Sequence, residues 1–260
     1  MELFLRHEAR SAALPVVASL PHSGVYVPPE LARRFNPEHR SWLRNTDWFL
    51  PELYTFLPDL GVADLEATHS RYVADLNRDP ARRLFGPFFE AVVAEHTAHG
   101  QAIYETRPDQ AELETRVARF HAPFHAELRR LLTERCATFS RALLLDLHSY
   151  MGPGEHEVVL GDGRGSTCSP EITEQFERGF REQGFDVVVN APFAGGFVVR
   201  SQKDLPTVSA LQIELRYPLY MDCTRIDDPV RPAPDPVRIA ALQPRLRRAL
   251  ELAIEGFLRL

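Results

Sequence analysis

Short apolar runs that alternate with helical patterns constrain the fold of this chain more than any other feature of its sequence. Each run is rich in aliphatic or β-branched residues and has a length of roughly four to eight residues, which is typical of a buried strand. The runs are residues 14–20, 61–67, 142–147, 157–160, 185–189 and 208–215.

Helical spacing of apolar residues is found between these runs. It predicts helices over residues 47–56, 85–99, 110–136, 170–183 and 236–258. Alternating residues at 71–77 predict one more strand that ends near Asn77. Strands that alternate with helices are typical of an α/β fold. We therefore expect a single domain over residues 1–260, with a mixed, mostly parallel sheet and helices on both faces.

Charge and cysteine content argue against several classes of protein. The formal net charge is -6, whereas a nucleic-acid surface usually carries a basic stripe. The three cysteines are widely spaced and never form a CxxC pair. They indicate neither a disulfide framework nor a cysteine-rich zinc site, and they fit a reducing cytoplasm. Neither a signal peptide nor a membrane span is expected from the hydropathy of the chain.

Two histidines stand at the ends of predicted strands, where ligands bind in α/β sheets. His22 follows the run 14–20, and His148 follows the run 142–147. Two imidazoles and one carboxylate from separate strand ends would make a catalytic zinc site with a coordination position left for water. The same ligand types suit other divalent metals. The alternative is that each histidine is a buried polar residue without a metal.

Carboxylates near these histidines are candidates for the third ligand and for a general base. Asp47 is our choice of third ligand, and its alternative role is to cap the helix predicted to begin there. Glu30 is a weaker candidate. Glu214 is our choice of general base, because a carboxylate in an apolar strand would be costly to bury without a metal or cationic partner. Its alternative is an ion pair with Arg216 or a place in solvent.

Cationic and amide side chains that could bind an anionic substrate cluster after the run 61–67. Arg71, Asn77 and Arg78 could hold carboxylates, because guanidinium groups match them in bidentate geometry. Arg71 could also act catalytically by stabilising an oxyanion. The alternative is that these arginines form salt bridges with Asp75 and Asp79.

Three more residues have weaker functional signals. His121 and His125 have i,i+4 spacing, but no Glu accompanies them as in HExxH zinc sites, and Pro123 predicts a kink. His125 remains a candidate for substrate contact. Gly195 and Gly196 predict a tight turn where the backbone approaches a ligand or another strand, and Arg200 in that segment is a further substrate-binding candidate.

Seven segments in succession resemble the signatures of the N-formylglutamate amidohydrolases. Together they extend from about residue 15 to residue 222, in the order found in that family, and SRYVADLNR and LDLHS are the most specific. The segments are PHSGVYVP, NTDWFLPELY, SRYVADLNR, FHAPFHAEL, LLLDLHSY, VVLGDGRGSTCSP and LQIELRYPLYMD.

The resemblance implies a fold similar to that of zinc carboxypeptidases and aspartoacylase. It implies that His22 and His148 bind zinc and that Glu214 is the base. Carboxypeptidases have a Glu ligand three residues after the first His, whereas this chain has Val25 there, so Asp47 in the family-like TDW is the expected carboxylate ligand.

The resemblance also implies a substrate. We expect hydrolysis of N-formyl-L-glutamate, or of a close N-acyl amino acid, with a small anionic molecule as substrate and with neither nucleic acid nor a membrane as partner. Family members that act in histidine degradation usually have YWRPYH where this chain has FHAPFH, so hydrolysis is better supported than the identity of the substrate. The alternatives are a carboxypeptidase-like or other N-acyl metallohydrolase, and a non-catalytic protein that binds acidic amino acids.

Overall fold

Seven of the nine strands form one mixed sheet in the computed structural model, which describes residues 1–152 and 154–260. The other two strands, β4 and β5 below, form a short separate pair. The strands are β1 (Phe4–His7), β2 (Val16–Leu20), β3 (Ala63–Ala67), β4 (Phe85–Gly86), β5 (Val93–Ala94), β6 (Ala142–Tyr150), β7 (Val158–Gly161), β8 (Val187–Val189) and β9 (Val208–Arg216).

The spatial order of the large sheet is β1-β3-β2-β6-β9-β7-β8. Its four central strands, β3, β2, β6 and β9, are parallel to one another. The strand β1 is antiparallel to β3, and β7 is antiparallel to β9. This confirms the predicted mixed, mostly parallel sheet. Because β2, β6 and β9 are adjacent and parallel, their carboxyl ends meet at one edge.

Helices cover both faces of the sheet. The helices are α1 (Pro29–Ala32), α2 (Pro37–Trp42), α3 (Leu50–Leu53), α4 (Gln110–Arg116), α5 (Ala122–Phe139), α6 (Pro170–Glu182), α7 (Phe197–Arg200) and α8 (Pro236–Arg259). One face packs its apolar side chains against α3, α6 and α8, and the other, here named the α5 face, packs against α5 and α7. No helix in the described part of the chain is both long and apolar enough to cross a membrane.

The helix predicted over residues 85–99 is wrong. That segment contains the short strands β4 and β5, joined by a turn. Gly86 has φ +147°, outside the helical region, and Pro87 after it restricts its backbone further. Apolar spacing suggested a helix there, but the backbone chemistry of these two residues prevents one.

Three other predictions need correction. The strand expected at 71–77 is a series of turns, in which the backbone N–H of Val73 donates to the carbonyl of Ser70. The helix expected at 47–56 is reduced to α3, because Phe49 before it has φ +58°. The helix expected at 110–136 is continuous, but it changes to a π-helix at Val117–His121 just before Pro123.

Candidate active site

The two histidines singled out from the sequence lie side by side at the edge where the parallel strands end. His148 is the seventh residue of β6, and His22 comes two residues after β2 ends. Both rings are buried, and their centroids are 4.8 Å apart. The adjacent, parallel placement of β2 and β6 brings together two residues that are far apart in the chain.

Asp47 lies between the two rings. Its backbone N–H donates to the carbonyl oxygen of His22 at 3.1 Å. Its Oδ2 is 3.0 Å from Nδ1 of His148 and 3.8 Å from Nδ1 of His22. His22, Asp47 and His148 each offer one possible ligand atom, and these three atoms all lie within 4.8 Å of one another. The alternative role as a helix cap is excluded, because α3 begins after Phe49 and has no side-chain cap.

The far nitrogen of each ring faces a second carboxylate. Nε2 of His22 is 2.7 Å from Oδ1 of Asp75, and Nε2 of His148 is 2.9 Å from Oδ2 of Asp146. An ionised carboxylate only accepts, so Nε2 of His22 carries the hydrogen, and its Nδ1, 3.8 Å from Asp47, keeps its lone pair. Both nitrogens of His148 face carboxylates, Asp146 at Nε2 and Asp47 at Nδ1, so both carry a hydrogen in the absence of a metal. The Nδ1 atom of each ring faces the Asp47 side, and a metal ion bound there would replace the hydrogen on Nδ1 of His148, while Asp75 and Asp146 hold the rings from behind as outer carboxylates do.

Sequence reasoning did not assign a functional role to Asp75 or Asp146. Asp146 precedes His148 by two residues on the same strand, so side-chain alternation could have placed it beside that ring. Asp75 gave no such signal, because its contact with His22 depends on the turns at 71–77.

Electrostatics at the site favour a cation between the three candidate ligands. Burial, together with Arg71, lowers the pKa of His22 to about 4 despite the neighbouring Asp75. Burial also lowers the pKa of His148, but Asp146 and Asp47 outweigh it and the pKa lies well above its ordinary value. Buried carboxylates need cationic partners. The donor set and its charge therefore fit a divalent metal ion.

Glu214 lies beside His148, at the paired position of the neighbouring strand β9. Its side chain is 8% exposed, and Oε1 accepts a hydrogen bond from Nε2 of Gln212 at 2.9 Å. Burial raises the pKa of Glu214 to about 7, with His148 opposing and Asp47 adding to this shift. Arg216 instead donates to the carbonyl of Glu155, so the predicted alternative of a Glu214–Arg216 ion pair is not formed.

The two predicted substrate arginines have different partners. Arg71 donates from Nε and Nη2 to Asp75 Oδ2, at 3.1 and 2.7 Å, and from Nη1 to the carbonyl of Asn45. The alternative of a salt bridge with Asp75 therefore holds for Arg71. Arg78 donates to the carbonyls of Asn77 and Phe88, and no carboxylate among the described residues forms an ion pair with it. Its guanidinium is the more available of the two.

Asn77 joins this segment to the metal-ligand candidates. Its backbone N–H donates to Asp75 Oδ1 at 2.9 Å, and its Nδ2 is 3.1 Å from Nε2 of His148. Its side-chain oxygen accepts from the backbone N–H of Val198 at 2.8 Å. Because Nε2–H of His148 donates to Asp146 and the NH2 of Asn77 is also a donor, Asn77 packs behind the histidine ring without a hydrogen bond to it.

The remaining candidates form no hydrogen bond with either histidine among the described residues. His121 and His125 are stacked, and their Nε2 atoms contact the carbonyl oxygens of Arg78 and Leu76 at 2.9 and 2.8 Å. Burial lowers the pKa of His125 to about 3, so its ring is neutral and donates to that carbonyl. Arg200 is exposed at the end of α7.

Glu30 does not belong to the group of ligand atoms. It is exposed on α1 and lies 3.7 Å from Arg119. Its side chain therefore takes part in a surface ion pair.

Comparison with known proteins identifies the family. A family model described as N-formylglutamate amidohydrolase matches residues 14–221. This chain belongs to the N-formylglutamate amidohydrolase family. The predicted family is thus confirmed, and the chain is an amidohydrolase.

Relatives of this amidohydrolase agree with that assignment. The N-formylglutamate deformylase of Pseudomonas putida is 31% identical over 84% of this chain and 85% of its own length. That of Pseudomonas aeruginosa is 30% identical over 80% of this chain and 83% of its own length. The crystal structure of N-formylglutamate amidohydrolase from Ralstonia eutropha JMP134 has a TM-score of 0.79 and 28% identity, covering 98% of this chain and 97% of that one.

Proposed function

We propose that this amidohydrolase hydrolyses the formyl amide of N-formyl-L-glutamate, or the amide of a close N-acyl amino acid, with a divalent metal ion, most simply zinc. The products are L-glutamate and formate. The observation that carries the proposal is the convergence of two Nδ1 atoms and one carboxylate beside Glu214, in a chain whose relatives are N-formylglutamate deformylases.

His22, His148 and Asp47 would hold the metal. Three protein ligands of this kind leave a coordination position open, as catalytic zinc sites require. The bound ion supplies Lewis acidity, which polarises the amide carbonyl and makes a water molecule more acidic. The same donor set suits other divalent metals.

Glu214 would act as general base and then as general acid. It takes a proton from the attacking water and passes it to the amide nitrogen as the carbon–nitrogen bond breaks. A carboxylate whose pKa burial raises to about 7 suits both steps near neutral pH, because it accepts and releases a proton with similar ease.

Arg78 would bind a substrate carboxylate. The residue is half-buried, its charge interacts with that of Glu214, and its guanidinium donates only to carbonyls among the described residues. Arg71 would instead support the site through Asp75, which occupies two of its N–H groups. These bonds and the one to Asn45 use three of the five N–H groups of Arg71, so the remaining two could stabilise an oxyanion, which is the catalytic role predicted for it.

The test is an assay of the purified full chain with its metal content measured. The assay would compare N-formyl-L-glutamate, N-acetyl-L-glutamate, other N-formyl amino acids and a dipeptide that serves as a carboxypeptidase substrate. Turnover of N-formylglutamate that a chelator removes and zinc restores is the expected result. Cleavage of the peptide alone would favour the carboxypeptidase-like alternative. Binding of acidic amino acids without any turnover would contradict the proposal.

A further inference from the structure

Gln212 is the residue next to Glu214 on the α5 face of β9, because side chains two apart on a strand share a face. Its side chain is 3% exposed. Its strand neighbours are Asp146 on β6 and Gly161 on β7. Gly161 leaves space for the backbone that passes over Gln212, since a Cβ there would lie 2.7 Å from the backbone nitrogen of Gly195.

The amide of Gln212 has only one orientation consistent with its contacts. Its Oε1 lies 2.8 Å from the backbone nitrogen of Gly196, which can only donate. The oxygen must therefore face Gly196, and Nε2 must face Glu214, where it donates to Oε1 at 2.9 Å. A backbone N–H thus determines which group Gln212 presents to the base.

The backbone at Gly196 is itself held in place. A Cβ at this residue would lie 2.3 Å from both side-chain amide atoms of Asn77, so only glycine permits the approach. Two residues later, the N–H of Val198 donates to the side-chain oxygen of Asn77 at 2.8 Å. These contacts hold the backbone N–H of Gly196 in place, and that N–H orients the amide of Gln212.

We infer that Gln212 is a positioning residue for the hydrolytic reaction. Its hydrogen bond holds Oε1 of Glu214 and leaves Oε2 as the oxygen for proton transfer. This inference rests on the proposed function, because it takes Glu214 as the base. Gln212 forms no hydrogen bond with His22, Asp47 or His148 among the described contacts, so its effect should be on turnover rather than on metal or substrate binding.

The experiment compares Gln212→Met with Gln202→Met in the full-length, metal-loaded enzyme. Gln202 is a matched control, because it is also a buried amide, 4% exposed, and bonds to the α7 backbone without contacting Glu214. Wild-type turnover is established first, on whichever N-formyl or N-acyl amino acid it hydrolyses. Absence of that turnover would count against the proposed function and not against the role of Gln212.

The expected result for Gln212→Met is a fall in kcat of about 10- to 100-fold, the effect of losing a hydrogen bond to a charged group. Its KM and metal content should stay within about twofold of the wild type, and Gln202→Met should keep its kcat. In a Glu214→Gln background, Gln212→Met should lower kcat no further.

Two results would overturn the inference. One is a kcat for Gln212→Met within about twofold of the wild type. The other is a parallel loss of kcat and thermal stability in both variants, which would indicate a general structural role. If Gln212→Met does not fold, Gln212→Asn is judged by the same criteria, because its shorter amide cannot reach both Gly196 and Glu214.

Discussion

Asp75 accepts a hydrogen bond from Nε2 of His22 at 2.7 Å, although 53 positions separate the two residues. The other oxygen of Asp75 binds Arg71. The guanidinium therefore keeps the pKa of this buried carboxyl well below its ordinary value, even though burial acts in the opposite direction. Asp75 stays ionised and directs the Nδ1 lone pair of His22 toward Asp47.

Replacing Asp75 by Asn should weaken metal binding. The amide removes the charge that orients the imidazole, and loss of such an outer partner typically lowers metal affinity by about 10- to 100-fold. Competition with a chromophoric chelator measures the dissociation constant. Asp79→Asn is the control, because Asp79 caps the backbone N–H of Ala81 and contacts no histidine in the described part of the chain. Equal affinities of the two variants would contradict this role of Asp75.

Six of the seven strands of the large sheet and the two histidines could be predicted from sequence, because both depend on local patterns, whereas β1, β4 and β5 were not predicted. Apolar runs identified the strands, and the ends of two such runs identified His22 and His148. Asp75 could not be predicted in this way, because residues 71–77 alternate like a strand but fold into turns. Its side chain meets His22 through the tertiary fold, which a local pattern does not encode.

Sequence reasoning offered salt bridges with Asp75 and Asp79 as an alternative for the two predicted substrate arginines, but it could not decide which arginine forms one. Arg71 and Arg78 are equally good guanidinium candidates by residue type. Only the structure shows that Arg71 bonds to Asp75 and Asn45, whereas the hydrogen bonds of Arg78 go to carbonyls among the described residues. The distinction depends on the direction of each side chain after the turn, and spacing does not determine that direction.

Glu214→Gln should remove most turnover while leaving metal bound. The amide has nearly the same shape but cannot accept the proton of the attacking water, and general base catalysis contributes roughly 10²- to 10⁴-fold. Steady-state kinetics and elemental analysis on the same preparation check both parts. Glu214 would be excluded as the base if the variant kept wild-type kcat.

Activity should rise with pH as Glu214 loses its proton. Burial raises the pKa of this carboxyl to about 7, and only the ionised form can act as a base. A bound divalent cation favours the ionised form, so the midpoint of the rise in kcat/KM should lie at or below that value. A profile of kcat/KM against pH checks the sign: a fall in activity across this range would contradict the assignment.

Arg78→Met should impair substrate binding more than turnover. Loss of a charged hydrogen-bond partner costs roughly 1.5–3 kcal/mol, or about 10- to 100-fold in kcat/KM, and we expect most of it in KM. Arg82→Met is a suitable control, because Arg82 is exposed in the same loop. If both variants had the same KM as the wild type, Arg78 would not bind the substrate carboxylate.

His39 should make the stability of the protein depend on pH. The residue is 6% exposed, and its ring packs edge-on against that of Tyr72, with the two ring centroids 4.2 Å apart. Its Nε2 has no hydrogen-bond partner among the described residues. Burial lowers the pKa of His39 to about 4. The unfolded chain has the ordinary value and therefore binds the proton first as the pH falls. The contribution of neutral His39 to the free energy of unfolding is complete above the pKa of His39 in the unfolded chain. It decreases as the pH falls from there toward the pKa of His39 in the folded protein.

The measurement compares wild type with His39→Phe, which keeps an aromatic ring against Tyr72 but cannot be protonated. Between about pH 7.5 and pH 5, the wild type should lose on the order of 2 kcal/mol more unfolding free energy than the variant. Denaturant titrations at both pH values give these free energies. Because other buried histidines contribute equally to both proteins, their effects cancel in the difference. A difference that stays constant with pH would mean that His39 is not held neutral by burial.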